Sequence, residues 1–176
     1  MPSLTPNRNI ELKARVHSLE RVGEICREFA QFSAHERQVD TYFTCQQGRL
    51  KLRERGTQAA QLVAYARPDE TTPRASDYWL VPVAEPSLLK AALTAALGVR
   101  VVVEKDRQVF LYRNVRIHLD RVACLGDFLE LEAVLGGQDD EREATRLVAE
   151  LAQRLGVESS DRVDCSYSDL LLSKTP

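Results

Sequence analysis

The sequence lacks the features that mark several common classes of protein. Its four cysteines are widely separated without a C-x-x-C pair, and no histidine lies at metal-ligand spacing from them, so neither a zinc site nor a disulfide framework is expected. No apolar run approaches the ~20 residues that span a bilayer, and residues 1–8 lack the apolar core of a signal peptide. We therefore expect a cytoplasmic protein with reduced thiols that makes no membrane contact.

The sequence also lacks a large excess of either charge. Lys and Arg number 24 and Asp and Glu number 26, giving a net charge of -2, which argues against a protein that binds nucleic acid through bulk positive charge. Any anion site must come from local clustering of cations. A length of 176 residues without a linker or low-complexity segment predicts a single domain over residues 1–176. Composition leaves both a monomer and a homodimer open.

Residues 126–134 read G-D-F-L-E-L-E-A-V and alternate with a period of two. A strand with this pattern places Glu130 and Glu132 on one face and Leu129 and Leu131 on the other. Two carboxylates held ~7 Å apart repel each other unless they face water, a cation or basic side chains. For an isolated strand, the usual interpretation is a solvated outer face.

Other segments have the same alternation. It predicts strands at residues 9–16, 38–45, 49–55, 61–67, 74–83, 99–112, 115–122 and 126–134. Helical spacing of apolar residues predicts helices at 19–32, 87–97 and 141–155, and a capped short helix from Ser166 to Leu172. Cations concentrate on some strands and carboxylates on others, which is unlike the mixed charges of a solvated sheet.

This segregation favours an α+β fold with an eight-stranded antiparallel closed β-barrel and helices packed outside. Helices that cover the apolar strand faces leave the charged faces pointing into the barrel, whose lumen is the size of one small ligand. Buried charges must then satisfy one another or a ligand that carries both signs. A triphosphate with bound Mg²⁺ or Mn²⁺ is such a ligand. The expected lumen residues are Glu11, Asp120, Glu130, Glu132, Lys13, Lys51, Arg53, Lys105, Arg107 and Arg116.

Six segments resemble one known family in their order and spacing. They are N-I-E-L-K at 9–13, D-T-Y-F at 40–43, G-R-L-K-L-R at 48–53, V-E-K-D-R at 103–107, R-I-H-L-D at 116–120 and L-G-D-F-L-E-L-E at 125–132. Together they resemble the CYTH domain or triphosphate tunnel metalloenzymes, and among these the class IV adenylate cyclase-like proteins. The resemblance covers nearly the whole chain and implies an eight-stranded antiparallel tunnel, in agreement with the argument from charge.

The resemblance also implies roles for individual residues. Glu11, Glu130 and Glu132 match metal-binding glutamates, Asp120 matches a further metal ligand, and Glu11 and Lys13 are the expected catalytic residues. A short helix around Tyr167 resembles one that covers an end of the tunnel. The expected substrate-binding residues are Lys51, Arg53, Arg67, Arg74, Lys105, Arg107, Arg116 and Tyr42, with Asp40 also in the tunnel wall and Lys13 among the phosphate-binding cations.

Two positions depart from the pattern of the family. Asn9 stands where a Glu is usual and offers one neutral oxygen, so a second metal ion would bind more weakly. The usual Lys before x-Pro is replaced in Ala66-Arg67-Pro68. Arg67 can reach the lumen through a local bulge, yet it cannot act as a general base because it does not deprotonate.

The leading interpretation is a divalent-metal-dependent enzyme that binds and hydrolyses a triphosphate, whether inorganic triphosphate, ATP or another organic triphosphate. The alternatives are a class IV adenylate cyclase that makes cyclic AMP and pyrophosphate, and a non-catalytic nucleotide- or polyphosphate-binding module. No adenine pocket is located by the sequence. We expect His118 to be a hydrogen-bonded wall residue, and Arg15, Arg49 and Arg55 to be solvated near strand ends.

Overall fold

Period-two alternation produces eight β-strands in the computed structural model, which describes residues 5–56, 58–137 and 139–174. Residues 1–4, which are part of the segment 1–8 that lacks the apolar core of a signal peptide, lie outside the described residues. The strands are β1 Asn7–Arg15, β2 Gln31–Phe43, β3 Arg49–Arg55, β4 Gln58–Ala66, β5 Arg74–Val83, β6 Val99–Tyr112, β7 Val115–Val122 and β8 Gly126–Leu135.

The strands close into a barrel in the order β1-β5-β4-β3-β2-β6-β7-β8, and β8 pairs back onto β1. Every neighbouring pair is antiparallel. The predicted closed, eight-stranded antiparallel barrel is therefore confirmed. Closure leaves no strand edge unpaired and gives each strand one face toward the lumen and one face outward.

The helices lie on the outside of the barrel, as predicted. They are α1 Leu19–Arg27, α2 Pro86–Leu97, α3 Glu141–Arg154 and α4 Tyr167–Leu172, with a 3₁₀ turn at Ser159–Asp161. The side chains of Ser18 and Asp140 cap α1 and α3 by accepting hydrogen bonds from backbone N–H groups. Within the described ranges, no helix is long and apolar enough to cross a membrane.

The main core lies between α1, α3 and the outer faces of β1, β7 and β8. Leu12, Ile117 and Leu131 are almost completely buried there against Val148 of α3 and Cys26 of α1. Because strand side chains alternate, packing these residues outward points their neighbours, including Glu11 and Glu130, into the lumen. The apolar core thus determines where the charged residues lie.

The predicted helix at 19–32 is wrong at its C-terminal end. Helix α1 stops at Arg27, and β2 begins at Gln31 rather than at the predicted residue 38. Phe32 pairs with Phe110 of β6, and Phe29 packs edge-on against Tyr112 at 5.3 Å. The spacing of these apolar residues also fits a helix, which explains the wrong prediction. They form a strand because they pair with β6, almost 80 residues away in the sequence.

Helix α4 covers one end of the barrel, as the resemblance implies. Tyr167 is buried there among Phe128, Val103 and Val122. The lumen opens at the opposite end, where the inward-facing side chains of Leu80 and Leu111 are each 40% exposed. The C-terminal end of β6 therefore lies at the open end of the lumen, and α4 closes the far end.

The turn between β2 and β3 gives a test of the close packing of the barrel. Gly48 has a φ of +64°, and a Cβ there would lie 2.6 Å from the carbonyl oxygen of Tyr65. Gly156 has a φ of +75° but no atom within 4 Å of its Cβ position. Both Gly→Ala changes carry the left-handed backbone penalty of about 1–2 kcal/mol, but only Gly48→Ala adds a clash with backbone.

We expect Gly48→Ala to lower the free energy of unfolding by at least ~1 kcal/mol more than Gly156→Ala does. Urea unfolding of the two variants beside the parent protein measures this difference. Equal losses would show that the backbone of Tyr65 does not restrict the turn.

Candidate metal and phosphate site

The barrel encloses a lumen of about 480 Å³, which is in the usual range for small-molecule sites. Among the described residues that line it, eight are cationic and four are carboxylates. The cations are Lys13, Lys51, Arg53, Arg55, Arg67, Lys105, Arg107 and Arg116, and the carboxylates are Glu11, Glu36, Glu130 and Glu132. The excess of positive charge suits a polyanion.

One wall of the lumen is acidic and is built from β1, β7 and β8. The strand register places Glu11 opposite Glu132, and His118 opposite Glu130. Ligand atoms of His118, Glu130 and Glu132 all lie within 4.8 Å of one another. Cross-strand carboxylates at this spacing repel each other unless a cation lies between them.

His118 lies in the wall of the lumen, as expected, but its Nδ1 atom has no close hydrogen bond among the described residues. This buried nitrogen lies 3.7 Å from Glu130 and 3.8 Å from Glu132 and has no hydrogen-bond partner in the described part of the chain. An unsatisfied buried nitrogen beside two carboxylates is the donor set of a divalent cation site. The residues present therefore fit a bound metal ion.

Glu11 completes this wall. Its carboxylate lies 3.1 Å from the Arg67 guanidinium and 3.5 Å from that of Arg74. Burial raises the pKa of Glu11 to about 7; Arg67 opposes the shift, and the neighbouring Glu130 adds to it. Glu11 is thus a carboxyl group whose charge the protein alone does not fully compensate.

Lys13 and Glu130 form an ion pair at 3.1 Å next to the acidic wall. The Nζ atom of Lys13 also lies 3.9 Å from the centre of the Tyr167 ring of α4. Although burial alone would raise the pKa of Glu130, the charges of Lys13 and Arg107 bring it well below its usual range. The pKa values of Glu130 and the neighbouring Glu11 are therefore shifted in opposite directions.

Asp120 is completely buried, but it does not belong to this cluster of possible ligands in the described residues. Its two oxygens accept hydrogen bonds from Arg107, one of them at 2.6 Å, and from the Tyr167 hydroxyl at 2.9 Å. Asp120 acts as the counterion of Arg107 in this arrangement. Its role as a further metal ligand stays a prediction.

The facing wall is basic and is organised by Asp40. This buried carboxylate accepts hydrogen bonds at 2.8 Å from Lys51 and from two nitrogens of Arg53. Although burial opposes ionisation, these cations hold the pKa of Asp40 well below its usual range. Lys105 lies 3.9 Å from Asp40, and burial together with the nearby Arg107 lowers the Lys105 pKa to about 7.

Arg67 reaches the lumen without the bulge that the sequence suggested, so that expectation is wrong. It continues the inward series of Gln61, Val63 and Tyr65, and β4 pairs with β5 without a register shift. Buried nitrogens of Arg55, Arg67 and Arg74 have no hydrogen-bond partner among the residues described. Arg55 and Arg67 line the lumen, where they could donate to phosphate oxygens, whereas Arg74 does not line it.

The remaining predicted binding residues are distributed between the wall and its surroundings. Tyr42 lines the lumen and accepts a hydrogen bond from Lys51 at 3.2 Å, and Arg116 lines the open end. Arg74 is buried behind Glu11 and is not in contact with the lumen.

The prediction that Arg49 and Arg55 are solvated near strand ends is wrong. Arg55 lines the lumen on the same strand face as Lys51 and Arg53, so alternation could have identified it. Arg49 is mostly buried and binds Asp169 of α4 at 2.8 Å, which fixes the covering helix to β3. That contact joins residues 120 positions apart, and no local signal in the sequence indicates it.

Several solved structures have the same architecture. PH1012 of Pyrococcus horikoshii OT3 has a TM-score of 0.83 at 26% identity, covering 92% of this chain and 98% of its own. A Vibrio parahaemolyticus protein provisionally named an adenylate cyclase has a TM-score of 0.74 at 22% identity, covering 95% and 99%. Hippeastrum HpAC1, described as having a dominant triphosphatase activity, has a TM-score of 0.67 at 12% identity over 95% of each chain.

Among curated proteins, none matches this chain in sequence. The structural likenesses below 25% identity establish the fold alone. The CYTH domain, in contrast, matches residues 7–167, a span that includes all eight strands and the start of α4. The chain therefore belongs to the CYTH domain family.

Proposed function

We propose that this protein is a divalent-metal-dependent triphosphatase that hydrolyses a triphosphate bound in the lumen. The observation that carries the proposal is the presence of two opposite walls in one cavity. Glu130, Glu132 and His118 form a metal-type donor set on one side, and the cations held by Asp40 lie on the other. A metal-bound polyphosphate is complementary to both walls.

The metal ion would be held by Glu11, Glu130 and Glu132 with His118, while Asp120 remains a candidate further ligand. When bound, a Mg²⁺ or Mn²⁺ ion would neutralise charge on the phosphoryl oxygens. The proposed phosphate-binding residues are Lys51, Arg53, Arg67, Arg74, Lys105, Arg107, Arg116 and Tyr42. Six of them, Lys51, Arg53, Arg67, Arg74, Lys105 and Arg107, are already ordered by ion pairs, which supports catalysis through positioning and charge neutralisation.

Glu11 and Lys13 are the residues that we propose act closest to the chemistry. Glu11 lies opposite Glu132 and pairs with Arg67 at 3.1 Å, so its carboxylate lies between the acidic wall and a phosphate-binding cation. Lys13 holds Glu130 at 3.1 Å and so orients the acidic wall. Arg67 pairs with Glu11 but, as an arginine, does not deprotonate.

Adenylate cyclase activity is the second candidate, supported by the likeness to the Vibrio parahaemolyticus protein. It uses the same site, but the ATP 3′-hydroxyl attacks the α-phosphorus and pyrophosphate leaves. The dominant triphosphatase activity of HpAC1 and the absence of a Glu at position 9 favour hydrolysis for this chain. Binding without turnover would identify the third possibility, a non-catalytic polyphosphate-binding module.

Glu130→Gln and Glu132→Gln test the acidic wall because each change removes one charge and preserves size. We expect each to lower Mg²⁺- or Mn²⁺-dependent turnover of inorganic triphosphate or ATP by ~10²-fold or more. Glu24→Gln, on the exposed face of α1, is the matched control. Chromatography of the products separates phosphate release from formation of cyclic AMP.

Urea unfolding shows whether each variant keeps the fold, since Glu130 also pairs with Lys13 and Arg107. If both variants are folded and their turnover equals that of the parent, the acidic wall has no role in the reaction.

The raised pKa of Glu11 predicts a pH-dependent stability. Its pKa is about 7 in the folded protein against 4.5 in the reference state, so folding takes up a proton between these values. The contribution of Glu11 to stability is complete below about 4.5 and is lost as the pH rises toward about 7. Glu11→Gln cannot lose a proton and escapes this change.

We expect the free energy of unfolding of Glu11→Gln, relative to the parent, to increase by about 1–3 kcal/mol between pH 5 and pH 8 in EDTA. Urea titrations at several pH values measure this difference, with Glu24→Gln as the control. A difference that stays constant with pH would contradict the assignment of the raised pKa to Glu11.

A further inference from the structure

Helix α2, which connects β5 to β6 across the outside of the barrel, is apolar on its solvent side as well as on its packed side. Lys90 is the one charged residue among its twelve. Leu89 and Leu93 pack on the small core cluster around Leu52, yet every residue of α2 stays at least partly exposed. An apolar solvent side on a packed helix is typical of a surface that binds a partner.

The strands beside α2 extend this apolar surface. Cross-strand pairing joins Trp79 of β5 through β4, β3 and β2 to Val99 of β6, and joins Val81 in the same way to Val102. Helix α2 lies over the middle of these two rows, on β2 and β3. Paired residues share one face of a sheet, so the four residues at the ends of the rows belong to one outer surface. We define the apolar face as the exposed side of α2 together with these four residues.

The apolar face is large enough for a stable dimer. Trp79, Val81, Val99 and Val102 are between 41% and 51% exposed, and Leu88 of α2 is 65% exposed. With the exposed alanines of α2, the face presents roughly 700 Å² at ordinary side-chain areas, above the ~300–600 Å² of the largest apolar patch on a typical monomer. A specific interface buries about 800 Å² of each partner, so this face alone supplies most of that area.

The charges beside the apolar face indicate the kind of partner. Three ion pairs within the chain neutralise them, namely Lys90–Glu54, Arg100–Asp169 and Arg37–Glu104. The face therefore has no surplus charge to attract anionic lipid headgroups or an oppositely charged protein. A two-fold axis brings identical surfaces together, so it favours a face that is uncharged and does not repel its own copy.

The exposed side of α2 also has the spacing of an antiparallel helix pair. Leu88, Ala91, Ala92 and Ala95 are exposed, and their spacing is the same when it is read from either end. If two copies of α2 lie antiparallel about this midpoint, Leu88 of one copy meets Ala95 of the other, and Ala91 meets Ala92. A large side chain then lies against a small one, which allows close packing of the two helices.

We propose that the apolar face is the interface of a homodimer, in which α2 packs antiparallel against α2 of a second copy of this chain. This inference is independent of the proposed function, because the face lies on the outside of the barrel.

Sedimentation velocity of the full chain at about 1–100 µM tests the proposal. We expect the parent mass to rise with concentration from 19.8 kDa toward twice that value. Trp79 is the single tryptophan of the chain, so its fluorescence reports on the face directly. Its quenching by acrylamide should fall as the dimer forms, because the second copy covers it.

Ala92→Glu places like charges against each other at the centre of the helix pair. We expect it to weaken dimerisation by ~100-fold or more. Ala92→Lys should do the same, whereas an equimolar mixture of the two variants should associate at least ~10-fold more tightly than either alone. Gln153→Glu, on the exposed face of α3, is the control for added charge and should dimerise like the parent. Recovery in the mixture also shows that both variants are folded.

A parent that stays at 19.8 kDa over this concentration range would overturn the proposal. A dimer that Ala92→Glu weakens no more than Gln153→Glu does would also overturn it, because another surface would then form the interface. A monomer whose Trp79 emission shifts when phosphatidylcholine vesicles are added would assign the apolar face to a membrane surface instead.

Discussion

Two buried aspartates form ion pairs with cations of the lumen. The arrangement of the rest of the barrel depends on this neutralisation of buried charge. Asp40 binds Lys51 and Arg53, and Asp120 binds Arg107. An unpaired charge removed from water costs several kcal/mol, so a lumen with this many cations requires fixed anions. Because both aspartates are buried in the barrel and do not line the lumen, they order the cations while leaving other guanidinium and ammonium atoms free to bind a ligand. The cations are thus preorganised.

Closure of the barrel and covering by α4 make this compensation effective. The apolar outer faces of the strands pack on α1 and α3, which directs every second side chain inward. At one end, Tyr167 donates a hydrogen bond to Asp120 and lies over the ammonium group of Lys13, while Arg49 ties α4 to β3. Because that end is closed to solvent, electrostatic interactions there are stronger than they would be in water. The polar network and the apolar core therefore support the same closed geometry.

Alternation predicted the eight strands and the inward position of residues such as Lys51, Arg53 and Glu130, and the segregation of charge between strands, together with the family resemblance, predicted closure of the barrel. Contacts between distant segments were not predictable in the same way. The start of β2 depends on pairing with β6, and the choice of Arg107 as the partner of Asp120 depends on the register between β6 and β7. The bulge assigned to Arg67 came from aligning a motif at position 66, whereas alternation along β4 already placed position 67 inward. Local periodicity fixes which face a residue occupies, but not which residue it meets.

The charges that remain uncompensated indicate what the lumen is built to receive. Glu11 lies opposite Glu132, and burial with these neighbours raises its pKa toward neutrality. A buried nitrogen of Arg55 still lacks a hydrogen-bond partner among the described residues, and Arg67 shares the single carboxylate of Glu11 with Arg74. A cation alone would relieve the carboxylates and leave the guanidinium groups unsatisfied, and a phosphate alone would do the reverse. A ligand that contains both a cation and phosphate groups would satisfy the carboxylates and the guanidinium groups together. The unsatisfied groups on the two walls therefore support the proposed metal-bound polyphosphate. The neutral Asn9 also lines the lumen and adds no negative charge to it, which agrees with the expectation that a second metal ion would bind more weakly.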